Sequence, residues 1–145
     1  VVQMISTRGR YALRVMADLA AHGSDFIPLK AVAERQNISQ KYLEGIMTSL
    51  SKAGLVEGAH GKGGGYRLSR APEDYRVREI LEITEGELAP VACLKAGAAP
   101  CEMAERCKTL PMWKELYKTL NGFFDSYTVA DLAFGSGEDK GSWII

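Results

Sequence analysis

A chain of 145 residues, 46% hydrophobic and 25% charged, has room for one domain and an appendage, and that composition excludes a disordered polymer. No apolar run approaches the roughly 18 residues of a membrane span, and residues 1–4 lack the basic and apolar regions of a secretion signal, so a cytoplasmic protein without a membrane partner is expected. The net charge of zero hides an asymmetry: residues 1–80 carry 12 Lys/Arg against 8 Asp/Glu, and residues 81–145 carry 6 against 10, so only the front half suits contact with phosphates.

Ala12, Leu13, Val15, Met16, Leu19 and Ala20 recur at helical spacing and predict a first helix over Thr7–Ala21, with Ser6 or Thr7 as its N-cap. After a loop over residues 23–28, Leu29, Val32 and Ala33 share one face of a short second helix that Asn37 ends. Ser39 stands at the N-cap of a third helix over residues 40–53, where Tyr42, Leu43, Ile46, Met47 and Leu50 repeat before Gly54 closes it. Two short helices joined by a tight turn, with polar residues opening the second, form a helix-turn-helix.

Residues 55–59 and 66–68 read as two strands around a Gly-rich tip at 60–65, which is a wing. The tip is no nucleotide loop: it lacks the third glycine of G-x-G-x-x-G, no Ser/Thr follows Lys62, and a strand rather than a helix comes next. Val77, Ile80, Leu81 and Thr84 mark a fourth helix closed by Gly86, so residues 1–86 read as a winged-helix DNA-binding domain. Residues 87–108 have no periodicity and read as a loop. Pro111 opens a long helix in which Trp113, Leu116, Tyr117, Leu120, Phe123 and Phe124 make an apolar stripe that needs a partner surface. Thr128 caps a last short helix over Val129–Phe134, making 109–134 one C-terminal unit, and residues 135–145 read as a tail. The fold class is thus mainly α with a small β wing.

The chemistry follows from this placement. Ser39, Gln40, Lys41, Tyr42 and Glu44 occupy the first turns of the third helix, where side chains reach base edges and phosphates. Gln40 can pair with adenine, Lys41 can reach phosphate or guanine, and the Glu44 carboxylate discriminates in favour of cytosine. At the wing, Lys62 and Arg67 supply charge to phosphate and His60 can probe the minor groove. His22 lies at the end of the first helix, where an imidazole meets the helix dipole. No nucleophile, base and oxyanion site converge, so an enzyme is not expected.

Cys93, Cys101 and Cys107 are the only cysteines and fall within 15 residues. Their spacing matches neither zinc ribbons nor fingers nor ferredoxins, and the odd count argues against a disulfide framework. Three soft ligands on one loop can hold an iron-sulfur cluster, or can act as plain redox-active thiols.

The strings Ile5-Ser6-Thr7-Arg8-Gly9-Arg10-Tyr11-Ala12, Ile38-Ser39-Gln40-Lys41-Tyr42-Leu43-Glu44, Gly54-Leu55-Val56 and Gly63-Gly64-Gly65-Tyr66-Arg67-Leu68 together resemble the IscR-type bacterial transcription regulators, whose relatives include NsrR and CymR. The resemblance spans residues 4–134. It implies a homodimer formed through residues 111–124, binding a palindromic double-stranded operator with two recognition helices. It adds Thr7, Arg8 and Arg10 to the DNA-contacting set. It implies that Cys93, Cys101 and Cys107 ligate an iron-sulfur cluster, 2Fe-2S favoured over 4Fe-4S, sensing iron, redox or cluster status and controlling cluster-assembly genes. Thiol-based or nitric-oxide-responsive regulation, or a cluster-free CymR-like role in cysteine metabolism, is the alternative. The chain departs from the pattern in three places. Leu110 stands where IscR carries its ligating histidine and Arg10 where NsrR carries an aspartate, so the fourth ligand is unidentified; Glu102 and Glu105, between the second and third cysteines, are the nearer oxygen donors. His60 replaces an arginine of the IscR wing, which makes minor-groove contact weaker or pH-dependent.

Overall fold

The structure, a computed structural model, describes residues 4–99 and 101–135. Of the predicted tail, only Gly135 lies among them. Among the described residues, six α-helices and one two-stranded sheet come in the order α1 (Thr7–Ala21), α2 (Leu29–Gln36), α3 (Gln40–Lys52), β1 (Val56–Ala59), β2 (Gly65–Leu68), α4 (Val77–Glu85), α5 (Leu110–Asp125) and α6 (Val129–Phe134). None of these helices is long and apolar enough to cross a membrane.

Helix α1 starts where Ser6 offers its hydroxyl oxygen to the Gly9 amide at 3.1 Å, satisfying one of the orphan donors of the first turn. Its apolar face, Ala12, Val15, Met16, Leu19 and Ala20, is buried at the centre of the main core. Helix α2 ends at Asn37, which takes the left-handed conformation at φ 54° and turns the chain toward α3. Ser39 then caps α3 by accepting from the Tyr42 amide at 3.1 Å, and Leu43, Ile46, Met47 and Leu50 complete the core. Lys52 is the last helical residue of α3, one short of the expected end, and Gly54 at φ +76° makes the exit.

Strands β1 and β2 pair antiparallel, Val56 opposite Leu68 and Ala59 opposite Gly65. A third edge comes from an unexpected place: Ile27, just before α2, exchanges backbone hydrogen bonds with Tyr66 at 2.8 and 2.9 Å. This approach requires Gly65, because a Cβ there would lie 2.1 Å from the Ile27 carbonyl oxygen. Tyr75 locks the sheet to the segment leading into α4. Fully buried, its hydroxyl donates to the Leu55 carbonyl at 2.6 Å and accepts from the Ser69 and Arg70 amides at 2.9 Å.

In the C-terminal part the two helices pack against different partners, α5 on α4 and α6 on α1. Helix α6 folds back onto α1: Val129 is fully buried in the main core, and Tyr75 and Val77 pair by backbone with Val129 and Tyr127. A reciprocal capping box between Thr128 and Asp131 fixes its start. Helix α5 is joined to α4 and the segment after it by polar and apolar contacts. Arg78 reaches Asp125 at 2.9 Å, and the Tyr117 hydroxyl reaches Glu87, just past α4, at 2.8 Å. Within α5 only Asn121 is buried; its amide donates to the Tyr117 carbonyl and its Oδ1 has no partner. The apolar stripe is therefore covered only in part, with Phe124 in a small second core beside Val77, Leu81 and Leu88.

Candidate nucleic-acid interface and cysteine loop

The exposed side of α3 presents Gln40, Lys41, Tyr42, Glu44, Gly45 and Thr48. Capping and core packing together fix its direction, since Leu43, Ile46, Met47 and Leu50 take the opposite side. The first turn of α1 lies against this surface. Arg8 donates to the Ser49 hydroxyl and, at 3.4 Å, to the Gly45 carbonyl, so that Arg8, Ser39, Lys41, Tyr42 and Gly45 line one shallow hollow. Tyr42 stands with its edge against the Tyr11 ring, centroids 5.7 Å apart, while the Arg14 guanidinium lies 5.2 Å from Tyr11 on its other contact. Tyr42 keeps this ring contact while remaining exposed.

Several expected contacts take other roles. Ser39 spends its hydroxyl on the helix cap and so presents mainly its backbone. Thr7 accepts from Arg10 at 3.2 Å, which ties those two side chains to each other at the exposed start of α1. Gln40, Lys41 and Glu44 project freely, all exposed. Arg67 stands opposite Glu57 on the neighbouring strand; the two are joined at 2.9 Å, and the guanidinium stacks on Phe26 at 4.2 Å, so within the hairpin it is already paired. Lys62 stays exposed at the tip, where Gly61 and Gly63 take φ of +87° and +81°. His60 is exposed too, but borders a separate hollow with Leu29, Ser51 and Tyr66.

Gly45, Thr48 and Ser49 are additions that sequence reading missed. The signal was present: three small residues on the polar side of a helix admit a close neighbour, which here is Arg8. Behind the surface, Asp18 of α1 accepts from Arg35 at 2.7 and 3.0 Å and from Gln36 at 2.9 Å, and Arg14 binds Gln36 in turn. Burial alone would push the Asp18 carboxyl up, but the hydrogen bonds from Arg35 and Gln36 and the nearby positive charges hold it below the usual aspartate range. This network holds the last turn of α2 and so the turn into α3. His22, with Nδ1 2.8 Å from the Asp18 carbonyl oxygen, closes α1 as a cap.

The cysteine loop runs from α4 to α5. Cys93 and Cys101 are exposed and Cys107 is half-buried. Glu87 anchors the loop at two points, accepting from the Tyr117 hydroxyl and from the Ala96 amide at 2.7 Å; these bonds hold its carboxyl below the usual range. Cys107 lies just before α5, and the Thr109 hydroxyl together with the Thr109 and Leu110 amides draws its thiol pKa down. Among the described residues no three of His, Cys, Asp and Glu come together as a metal site. Three thiols suit an iron-sulfur cluster as donors, but the loop as folded does not gather them, and Glu102 and Glu105 are both exposed.

The family model of Rrf2, described as iron-dependent transcriptional regulators, matches residues 5–134. The chain belongs to the Rrf2 family. The IscR regulator of Photobacterium profundum is 36% identical over 129 residues, covering 88% of this chain and 74% of that protein. Two solved structures are similar throughout. CymR, the global cysteine regulator of B. subtilis, has a TM-score of 0.76 at 34% identity, covering 94% of this chain and 99% of that one. T. potens IscR has a TM-score of 0.71 at 32% identity, covering 96% and 92%. This Rrf2 chain is accordingly an IscR-like helix-turn-helix transcription regulator, with relatives named as regulators rather than enzymes.

Proposed function

We propose that this Rrf2 protein is a cytoplasmic homodimer that reads a palindromic double-stranded operator through α3 and the wing, with the cysteine loop as its sensory element. The observation that carries the DNA-reading part is the surface on which Arg8 joins Lys41 and Tyr42 beside the small residues of α3. Lys41, Lys62, Arg8 and Arg10 supply phosphate contacts; Gln40 and Glu44 read base edges. Selection from a random-sequence duplex pool tests it. A two-fold symmetric site should be enriched, and a pool that emerges unchanged at low salt would refute the reading.

The sensory reading takes its chemistry from the IscR relatives: an iron-sulfur cluster, 2Fe-2S favoured, on Cys93, Cys101 and Cys107, reporting iron or redox status to cluster-assembly genes. Because the loop does not gather the three thiols as folded, loading would have to be coupled to its rearrangement. Anaerobic reconstitution with iron and sulfide, followed by visible spectroscopy and iron assay, tests this; a colourless, iron-free product overturns it. Colour lost in the Cys93→Ser, Cys101→Ser and Cys107→Ser variants would assign the ligands. A second reading, regulation through thiol chemistry alone, is favoured by the setting of Cys107, whose Sγ lies 3.4 Å from the Thr109 hydroxyl just before α5, an arrangement that favours the thiolate.

A further inference from the structure

Glu85 is the last residue of α4, and a carboxylate there faces the negative end of its own helix dipole. The side chain turns away from α4 to the opposite end of another helix. Its Oε1 accepts from the Ser6 amide at 3.1 Å and from the Ser6 hydroxyl. Ser6 is the N-cap of α1, where negative charge is favourable, and the first turn of α1 has no acidic residue of its own. The charge that this helix start lacks is supplied from α4.

Gly9 completes the fit. It is buried in the first turns of α1, and a Cβ added there would lie 2.3 Å from Glu85 Oε1 and 3.1 Å from Thr84 Oγ1. The missing side chain is the space the carboxylate occupies. Between Ser6 and Gly9 sits Arg8, whose guanidinium reaches over Ser49 and Gly45 on the exposed side of α3. One carboxylate thus grips the residues on both sides of the arginine, from behind the surface that α3 presents.

We propose that Glu85 is a positioning residue for DNA contact: by pinning Ser6 and packing against Gly9 it fixes the first turn of α1 and holds Arg8 beside Lys41 and Tyr42 at the phosphate backbone. It does not touch DNA itself. The inference rests on the reading of that surface as the DNA interface. It also makes the α4 terminus, two residues before the loop anchor Glu87, the place where the loop region meets the DNA-reading surface.

The test uses the full chain and a mixed-sequence duplex about three helical turns long, with affinity measured across salt concentrations. Arg8→Ala should lower the slope of log affinity against log salt by about 0.9 per protomer, which is about 3.5-fold less affinity lost between about 50 and 200 mM salt. Glu85→Ala should lower it equally, and the Arg8→Ala/Glu85→Ala double variant should be no worse than Arg8→Ala alone. Glu85→Gln keeps the acceptor oxygen and should restore the slope. Gly9→Ala evicts the carboxylate while its gain in helix propensity offsets part of the stability lost with the Ser6 bonds, so it should weaken binding in a chain that stays folded, and it decides the matter should Glu85→Ala not fold. A wild-type slope in Gly9→Ala, or effects of Arg8→Ala and Glu85→Ala that simply add, overturns the proposal while leaving the interface reading intact. An unchanged slope in Arg8→Ala, or no duplex binding by the wild type, overturns the interface reading and the proposal with it.

Discussion

Replacing Asp18 by Ala isolates the network that sets α2 against α1. The carboxylate is 3% exposed and accepts three hydrogen bonds, two from Arg35 and one from Gln36. Removing one member of a fully buried pair costs about 3–5 kcal/mol. Arg35 is 39% exposed, so water can take up its stranded charge, and the expected loss falls to about 2–3 kcal/mol. For a chain of this size that lowers the melting temperature by about 5–12 °C. The sign of the pH effect is set by the depressed Asp18 carboxyl. Its contribution is present in full above the unfolded aspartate range and is lost as pH falls through the lower folded value, so wild type and variant should differ by a constant amount near neutrality and converge in strong acid. Chemical denaturation between about pH 3 and 8 measures this. A variant within about 0.5 kcal/mol of wild type at neutral pH, or a gap that widens on acidification, would refute the reasoning.

Tyr75→Phe removes one acceptor and one donor at once; the Leu55 carbonyl and the Ser69 amide keep their own bond at 3.2 Å, but the Arg70 amide is stranded, so a loss of about 1–2 kcal/mol in urea unfolding is expected, with the hairpin the first region to lose amide protection. Gly65→Ala drives a methyl into the Ile27 carbonyl at a φ of +142°, so it should cost more than about 1 kcal/mol and expose the Ile27 and Tyr66 amides to exchange. Arg67→Ala should leave the salt slope of duplex binding unchanged, because Glu57 already neutralises that guanidinium. Lys62→Ala, at the open tip, should lower it.

The helices were legible because periodicity and caps are local. Leu29 to Asn37 contains the apolar face of α2 and the residue that ends it, and Ser39 declares the start of α3. What periodicity reports is which face is buried, not what covers it. Hence Val129 could be placed on a short helix but not on α1, and the stripe of α5 could be seen without its polar attachment through Arg78 with Asp125 and Tyr117 with Glu87. Ile27 joins the sheet by a single pairing, too short to leave a pattern. At the interface, Lys41 and Tyr42 were readable from their place in α3. The pairing of Arg67 with Glu57 becomes visible only once the hairpin register is known. Asp18 and Glu85 hold residues on other helices, and such pairings across helices leave no trace in spacing.

Helix α5 bears on assembly. Polar bonds tie it to the rest of the protomer, Arg78 with Asp125 and Tyr117 with Glu87. Its apolar residues divide between a groove shared with Met4, Ile5, Leu88 and Pro90, lined by Trp113, Leu116, Leu120 and Phe124, and an outer edge where Met112 and Phe123 stand 54% and 45% exposed. Apolar surface left in water forgoes about 25 cal/mol per Å², and this outer edge would gain from being covered by a second copy. Met112→Glu with Phe123→Glu should therefore convert a dimer to monomer in sedimentation at micromolar concentration while the monomer stays folded, since neither side chain belongs to the buried core and Phe123 gives up only its ring contacts with Phe124 and Tyr127. Duplex binding should weaken in step, because two linked recognition helices act at a raised effective concentration that a monomer lacks. A wild type that sediments as a monomer, or a double variant that remains a dimer, would remove α5 from the interface and leave its exposed edge to another partner.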